Sequence, residues 1–393
     1  MTLHIALVLG ASTGGIGVYV RDLAAGLVER GFRVSVAAPA ETGERFGFTR
    51  VGAEFRPVPI TGAVNPARGA TIVRALRSAV DGADVVHAHG VRAGALAGMA
   101  LARRDTPSVV TLHNAILASG VRSRLLTGLE KLAVLRADVV LGASADLVER
   151  ARALGARDAR YCPVPAPPLP PPTKDRAQVR AELGVGADAG DGGGERGGES
   201  GGERADERIL VLAVGRLAPQ KDYATLLRAA QLWQNDSHPT GSPTSAPRLV
   251  IAGGGPLREA LQAQIDALRL DATLLGHRTD IADLLAAADL LAMSSTWEAR
   301  SLAVQEAMRA GVPVVATAVG GTPELARDAA ILVPPGDPHA LAAAVTRLVQ
   351  NPGERARLAA MGRERAGEWP DAEQCLTQLS ELYSTLAAMP RKT

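Results

Sequence analysis

Short apolar runs recur along the chain, and between them apolar positions return every three to four residues. The first run, residues 5–9, meets Gly10, Gly14, Gly15 and Gly17, then an amphipathic stretch, then a second apolar run ending near Ala38. Strand, glycine turn, helix and strand form the opening unit of a doubly wound parallel sheet. In the first half the pattern predicts strands at 5–9, 33–38, 85–87, 108–112 and 138–142, with helices such as 67–80 and 122–135 in the gaps. The alternation stops at CPVPAPPLPPPTK, residues 162–174. Proline cannot donate to a sheet ladder and stiffens the chain, so this stretch reads as a linker. Strands and helices then restart through RILVLAVGRL, RLVIAGGG, ATLLGHR, DLLAMSS and PVVATAVGG.

The pattern therefore predicts an α/β chain with two Rossmann-like, doubly wound domains. The boundaries expected are 1–165 for the first and 166–370 for the second, with a last amphipathic helix over 371–393 returning to the first. Residues 184–208, rich in glycine and charge and without apolar periodicity, read as a disordered, tolerated insertion. A smaller insertion is expected at 235–247. Ligands of such sheets lie at the carboxyl ends of strands, so two facing domains would hold a site in a central cleft.

Composition narrows the classes. Aromatic residues are 3% of the chain, too few for a platform that stacks single-stranded nucleic acid. Two cysteines, Cys162 and Cys375, argue against a disulfide framework and for a reducing cytoplasm. No long uninterrupted apolar run and no basic leader are visible, so a soluble, unexported chain is expected. Charge is uneven: residues 1–165 hold 20 Lys and Arg against 13 Asp and Glu, and the remainder 23 against 28. A basic half beside an acidic half suits an anionic partner for the first, although plain surface scatter gives the same count.

The opening glycines invite a dehydrogenase reading, which the residues oppose. After Gly10 and Gly14 the next glycines are one position off the short-chain spacing. Tyr19, Tyr161, Tyr223 and Tyr383 are followed four residues later by Leu23, Pro165, Leu227 and Ala387, never by the lysine such enzymes need. The second strand carries no acid at its tip to hold a ribose. A glycine loop alone is a weak signal.

The second half carries VGRLAPQKDYATLLRA, VIAGGGPLREAL and a long segment containing SSTWEARSLAVQEAM and VGGTPELA. With TGGIGVYVRDLAAGLVERGFRVSVAAP, DVVHAHG and VTLHN in the first half, these resemble the family-four retaining glycosyltransferases of GT-B fold. The resemblance implies an acceptor-side first domain and a nucleotide-sugar-binding second domain facing a central cleft. It implies transfer of a hexose from a nucleotide-diphosphate sugar with retention, and no bound metal or cofactor.

It also assigns residues. Arg216 and Lys221 resemble the family's clamp on the donor diphosphate, where fixed cations meet charge growing on the leaving group. Glu298 and Glu306 match the acidic pair Glu-x7-Glu, the first facing the transferred sugar and the second the ribose, with Ser301 and Leu302 opening the helix whose amides would cradle phosphate. The family often has glycine after the first glutamate, where this chain has Ala299 and Arg300; an arginine there would reach donor or acceptor. His113 resembles the histidine held near the reacting sugar. Gly14, Gly15 and Gly17 resemble the flexible glycine loop, and Gly254 in AGGGPL the nucleotide-side turn. His87 and His89 could open a zinc site, but no third ligand of suitable spacing and no Asp-x-Asp motif follow.

The reading is a metal-free retaining hexosyltransferase using a nucleotide-diphosphate sugar and an unidentified acceptor, with no nucleic-acid partner. The basic, leucine-bearing stretch 119–136 would suit peripheral association with an anionic membrane. Alternatives are a nucleotide-sugar epimerase of the same fold, a degenerate nucleotide-sugar-binding module, and the weakened dehydrogenase.

Overall fold

The computed structural model describes residues 2–12, 14–61, 66–116, 120–185, 208–236 and 246–389. Most of the glycine-rich insertion and residues 237–245 lie outside them. The chain divides into two compact units, Met1–Pro165 with Pro370–Thr393, and Ala166–Trp369.

The first unit is built on strands β1 (His4–Leu9), β2 (Arg33–Ala38), β3 (Glu54–Pro57), β4 (Val85–His89), β5 (Ser108–Leu112), β6 (Val139–Gly142) and β7 (Ala159–Tyr161), in the order β3-β2-β1-β4-β5-β6-β7. Every neighbouring pair is parallel. Helices α1 (Gly15–Glu29), α2 (Ala40–Phe46), α3 (Pro66–Ala79), α4 (Val91–Ala100), α5 (Gly120–Arg136) and α6 (Ala145–Ala153) make the connections. β1, β4, β5 and β6 are buried along their whole length, as expected of parallel strands covered on both faces. The expected strand at 85–87 runs on to His89, which brings both histidines of HAHG into one strand, two residues apart and so on one face.

The second unit repeats the plan with β8 (Leu210–Val214), β9 (Arg248–Ala252), β10 (Ala272–Gly276), β11 (Leu290–Met293), β12 (Val314–Thr317) and β13 (Ile331–Val333), ordered β10-β9-β8-β11-β12-β13. Its helices are α7 (Arg176–Glu182), α8 (Tyr223–Asp236), α9 (Arg258–Leu268), α10 (Ile281–Ala287), α11 (Leu302–Ala310), α12 (Thr322–Ala326), α13 (Pro338–Gln350) and α14 (Pro352–Gly367). Alternate residues of β8 feed two cores: Leu210 and Leu212 one side, Val211 and Ala213 the other. α8 extends to Asp236, past the expected start of the smaller insertion, because Trp233 and Gln234 are buried on it.

The last helix, α15 (Ala372–Ala388), starts at a capping box on Asp371 and adds Leu379, Leu382, Tyr383 and Leu386 to the core around β1. In both sheets the strand order reverses between two neighbours, β1 and β4 in one and β8 and β11 in the other. The carboxyl ends of such neighbours flank the crevice in which doubly wound sheets bind ligands.

Candidate active site

In the second unit the chain leaves β8 through Gly215 and Arg216 into a single 3-10 turn, Pro219–Lys221. Asp222 follows with φ 45°, a left-handed conformation that aspartate tolerates better than most residues, and turns the chain into α8. From the neighbouring β11 the chain leaves through Ser294–Glu298 toward α11. The two loops meet over the switch point. Lys221 Nζ donates to Glu298 Oε1 at 2.5 Å, and Ser295 Oγ donates to the same oxygen at 2.7 Å.

Backbone ties hold that pair. Gln220 Nε2 donates to the Trp297 carbonyl (2.7 Å), the Thr296 amide to the Gln220 carbonyl (2.8 Å), and Ser294 Oγ to the Lys221 carbonyl (2.9 Å). Thr317 at the end of β12 donates to the Ser295 carbonyl. The Glu298 carbonyl accepts from the Gly321 amide at 2.9 Å. Beside it Gly320 has φ +51°, and a Cβ there would lie 2.0 Å from the Glu298 oxygen, so the close approach demands glycine. Glu298 is buried and Lys221 half-buried, while Arg216 stands exposed one loop turn earlier.

The AGGGPL turn has a packing reason. A Cβ on Gly253 would fall 1.8 Å from the Gly215 carbonyl oxygen, and one on Gly255 2.4 Å from that of Leu217. Gly254, half-buried between them, accepts the Leu217 amide through its carbonyl at 2.9 Å. These glycines brace the loop that carries Arg216 and Lys221.

Ser301 is the N-cap of α11, its Oγ accepting from the Val304 amide, and Leu302 is the first helical residue. Glu306 lies on the helix, half-buried; burial lifts its carboxyl to about 7, with Arg309 one turn on pulling it back down. Arg300 packs within the second unit. Its guanidinium stacks over the Trp369 ring at 5.2 Å and donates to Gln305 Oε1.

The remaining assigned residues belong to the first unit. Gly14 is the exposed N-cap of α1 and Gly15 its first residue. Gly17 is buried against α2, where a Cβ would lie 2.1 Å from the Phe46 ring. His113, directly after β5, is 7% exposed, and its Nε2 lies 3.2 Å from Nδ1 of His89. Tyr19 of α1 sets its ring edge-on to both, at 5.9 and 5.7 Å. His87 is bonded at both ring nitrogens, to the Tyr383 hydroxyl (2.5 Å) and Thr111 Oγ1 (2.7 Å). Burial lowers His87 to about 3 and His113 to about 4, and holds His89 well below the usual imidazole range, so all three are neutral at pH 7.

Comparison with known proteins decides what this pair of sheets belongs to. Residues 14–167 match the glycosyl transferase 4-like domain and residues 200–365 the glycosyl transferases group 1. The chain belongs to the GT4-like glycosyltransferase family. Relatives include the D-inositol 3-phosphate glycosyltransferase of Salinispora tropica, 30% identical over 78% of this chain and 65% of that protein. The enzyme of the same name from Xylanimonas cellulosilytica is 28% identical over 91% of this chain and 89% of that protein. The chain spans slightly less than two thirds of the Salinispora tropica protein and 42% of its Salinispora arenicola counterpart. Among solved structures, Anabaena HepE in complex with UDP superposes with a TM-score of 0.76 at 23% identity, covering 98% of this chain and 100% of that one. The fold is GT-B, two α/β domains on parallel sheets.

Of the residues assigned to this transferase from sequence, the second unit brings Lys221 and Glu298 into direct contact and gathers Arg216, Gly254, Ser301, Leu302 and Glu306 on elements next to them. His113, Gly14, Gly15 and Gly17 form a separate group at the β1–β4–β5 end of the first unit. Sequence reasoning missed Ser295, Gln220 and Thr317, which fix Glu298, and Tyr19, which packs on the histidines. Ser295 was within reach, since a hydroxyl three residues before a loop carboxylate is a natural local donor.

Proposed function

We propose that the protein transfers a hexose from a nucleotide-diphosphate sugar to an acceptor hydroxyl with retention of anomeric configuration and without a bound metal. The observation that carries this is the Lys221–Glu298 pair over the β8–β11 switch point. An ammonium in the same loop as an exposed guanidinium suits a departing diphosphate, and the paired carboxylate suits the hydroxyls of the sugar. As the glycosidic bond breaks, negative charge grows on the leaving phosphate, and Lys221 and Arg216 stabilise that charge more than the ground state. Glu306, once ionised, accepts from the ribose hydroxyls, and the amides opening α11 meet phosphate oxygens. His113 serves the reacting sugar. No protein nucleophile is needed, because the departing phosphate can take the acceptor proton. The UDP-glucose complex of HepE is consistent with such a donor, on fold likeness alone.

The reading includes a cytoplasmic enzyme resting on an anionic membrane. Among the described residues no helix is long and apolar enough to cross one. α5 exposes Leu125 (50%) and Leu135 (42%) with Arg124, Lys131 and Arg136, and its one acid, Glu130, is turned inward onto Arg150. At 100° per residue those exposed positions share one face, cationic and apolar without an acid.

The test is turnover of uridine, guanosine and adenosine diphosphate sugars in excess EDTA, with proton NMR of the released or transferred sugar. Nucleoside diphosphate release with the donor's anomeric configuration retained supports the proposal. Inverted product, or interconversion of sugar epimers without release, overturns it.

A further inference from the structure

His87 and His89 sit side by side on β4, ring centroids 4.2 Å apart, yet their bonding differs. His87 is satisfied at both nitrogens by Tyr383 and Thr111, which makes it a strut of the core. His89 is 3% exposed, meets His113 through Nδ1 at 3.2 Å, and leaves Nε2 buried without a hydrogen-bond partner. A close pair of neutral imidazoles shares one proton: one ring donates, the other accepts. The buried, partnerless Nε2 decides the direction. Burying an N–H with no acceptor forfeits a strong donor, whereas a bare lone pair is the less costly orphan. The proton of His89 therefore belongs on Nδ1, the nitrogen that has a partner.

We infer that His89 is a positioning residue that sets the tautomer of His113: its Nδ1–H donates to His113 Nε2, so His113 carries its own proton on Nδ1 and offers an N–H to an oxygen of the reacting sugar. Tyr19, edge-on to both rings, packs them in place. The rings of His89 and His113 lie 26° from parallel with centroids 5.4 Å apart, an edge-to-edge approach that fits the hydrogen bond and leaves the other nitrogen of His113 as the one available to a ligand. The functional half of this inference rests on His113 meeting the sugar, as proposed above; the tautomer does not.

Two measurements test it. In the uniformly 15N-histidine-labelled protein at pH 7.5, long-range proton–nitrogen spectra should show His113 protonated on Nδ1 and His89 on Nδ1, and His89→Leu should release His113 into a mixture of tautomers. In turnover, His89→Leu should lower kcat about tenfold or more with little change in the donor KM, a loss of roughly one hydrogen bond in the transition state. His89→Asn, whose amide N–H reaches the place of Nδ1–H, should restore most of it. His113 protonated on Nε2 in the wild type overturns the inference, and so do equal losses in the Leu and Asn variants. The Nδ1 tautomer together with full turnover in His113→Ala would instead overturn the role given to His113 while leaving the proton assignment standing.

Discussion

Lys221 Nζ and Glu298 Oε1 stand 2.5 Å apart, joining the loop after β8 to the loop after β11. The pair holds the two groups proposed to grip the donor against each other, and an ammonium with three N–H groups can keep Glu298 while meeting a phosphate. Lys221→Ala should cut transfer by about a hundred- to a thousandfold, the usual loss on removing one transition-state charge partner. Circular dichroism should show the fold intact, since both groups sit on loops over the sheet. Arg216→Ala should behave alike without any stability change, being exposed, and the double variant should fall short of additivity. Wild-type turnover in either single variant contradicts the clamp.

The proposed role of Glu306 at the ribose gives donor binding a pH signature. Its carboxyl titrates near 7 in the free protein against about 4.5 in an unfolded chain. With the folded value raised, the native state binds the extra proton between those values, and stability falls as pH rises through the window. Glu306→Gln should therefore raise the melting temperature above pH 7 and give no gain below pH 4.5. Donor affinity of the wild type should climb from pH 6 to 8 as the carboxylate forms, and in the variant be weak and flat. Calorimetric titration across that range checks both, and a pH-independent wild-type affinity contradicts the assignment.

The histidine cluster makes the first unit acid-sensitive. His87 and His113 have folded values near 3 and 4, below the unfolded 6.5, and His89 lies well below it too. Lowered values give stability that is whole above pH 6.5 and lost as pH falls toward 4. Unfolding at pH 5.5 should take up about three protons from these rings, measurable from the buffer dependence of the unfolding enthalpy. Unfolding there without proton uptake would show that the rings are already charged.

The doubly wound plan was legible because parallel strands buried on both faces read as unbroken apolar runs, as β1 and β5 do. β3 and β7 were not: they are short, lie at the sheet edges and carry exposed residues, so no apolar run marks them. Lys221 and Glu298 were visible as charges in loops after strands, and Glu306 as an acid on the helix that follows. Their contact was not, since Lys221 and Glu298 are 77 residues apart and only the adjacency of β8 and β11 joins them. Gly17 reads as a ligand glycine in sequence, while packing against Phe46 also accounts for the absence of a side chain there. Arg300 could not be placed because its partner, Trp369, comes from the far end of the unit.

The exposed face of α5 should bind anionic vesicles at low salt and release them as salt rises, each surface cation contributing on the order of 1 kcal/mol. Arg124→Glu with Lys131→Glu should abolish co-sedimentation, and Leu125→Ser should weaken it. Equal binding to neutral and anionic vesicles, or to neither, contradicts this docking face.

The most direct test of the account is donor binding by the second unit's charged pair. Wild-type protein and Lys221→Ala should be titrated by calorimetry with uridine, guanosine and adenosine diphosphate sugars in excess EDTA. The account predicts that one of these donors binds the wild type without metal and that Lys221→Ala loses most of that affinity or of the ensuing turnover. Binding that vanishes with EDTA in the wild type, or affinity and turnover unchanged in the variant, would contradict it.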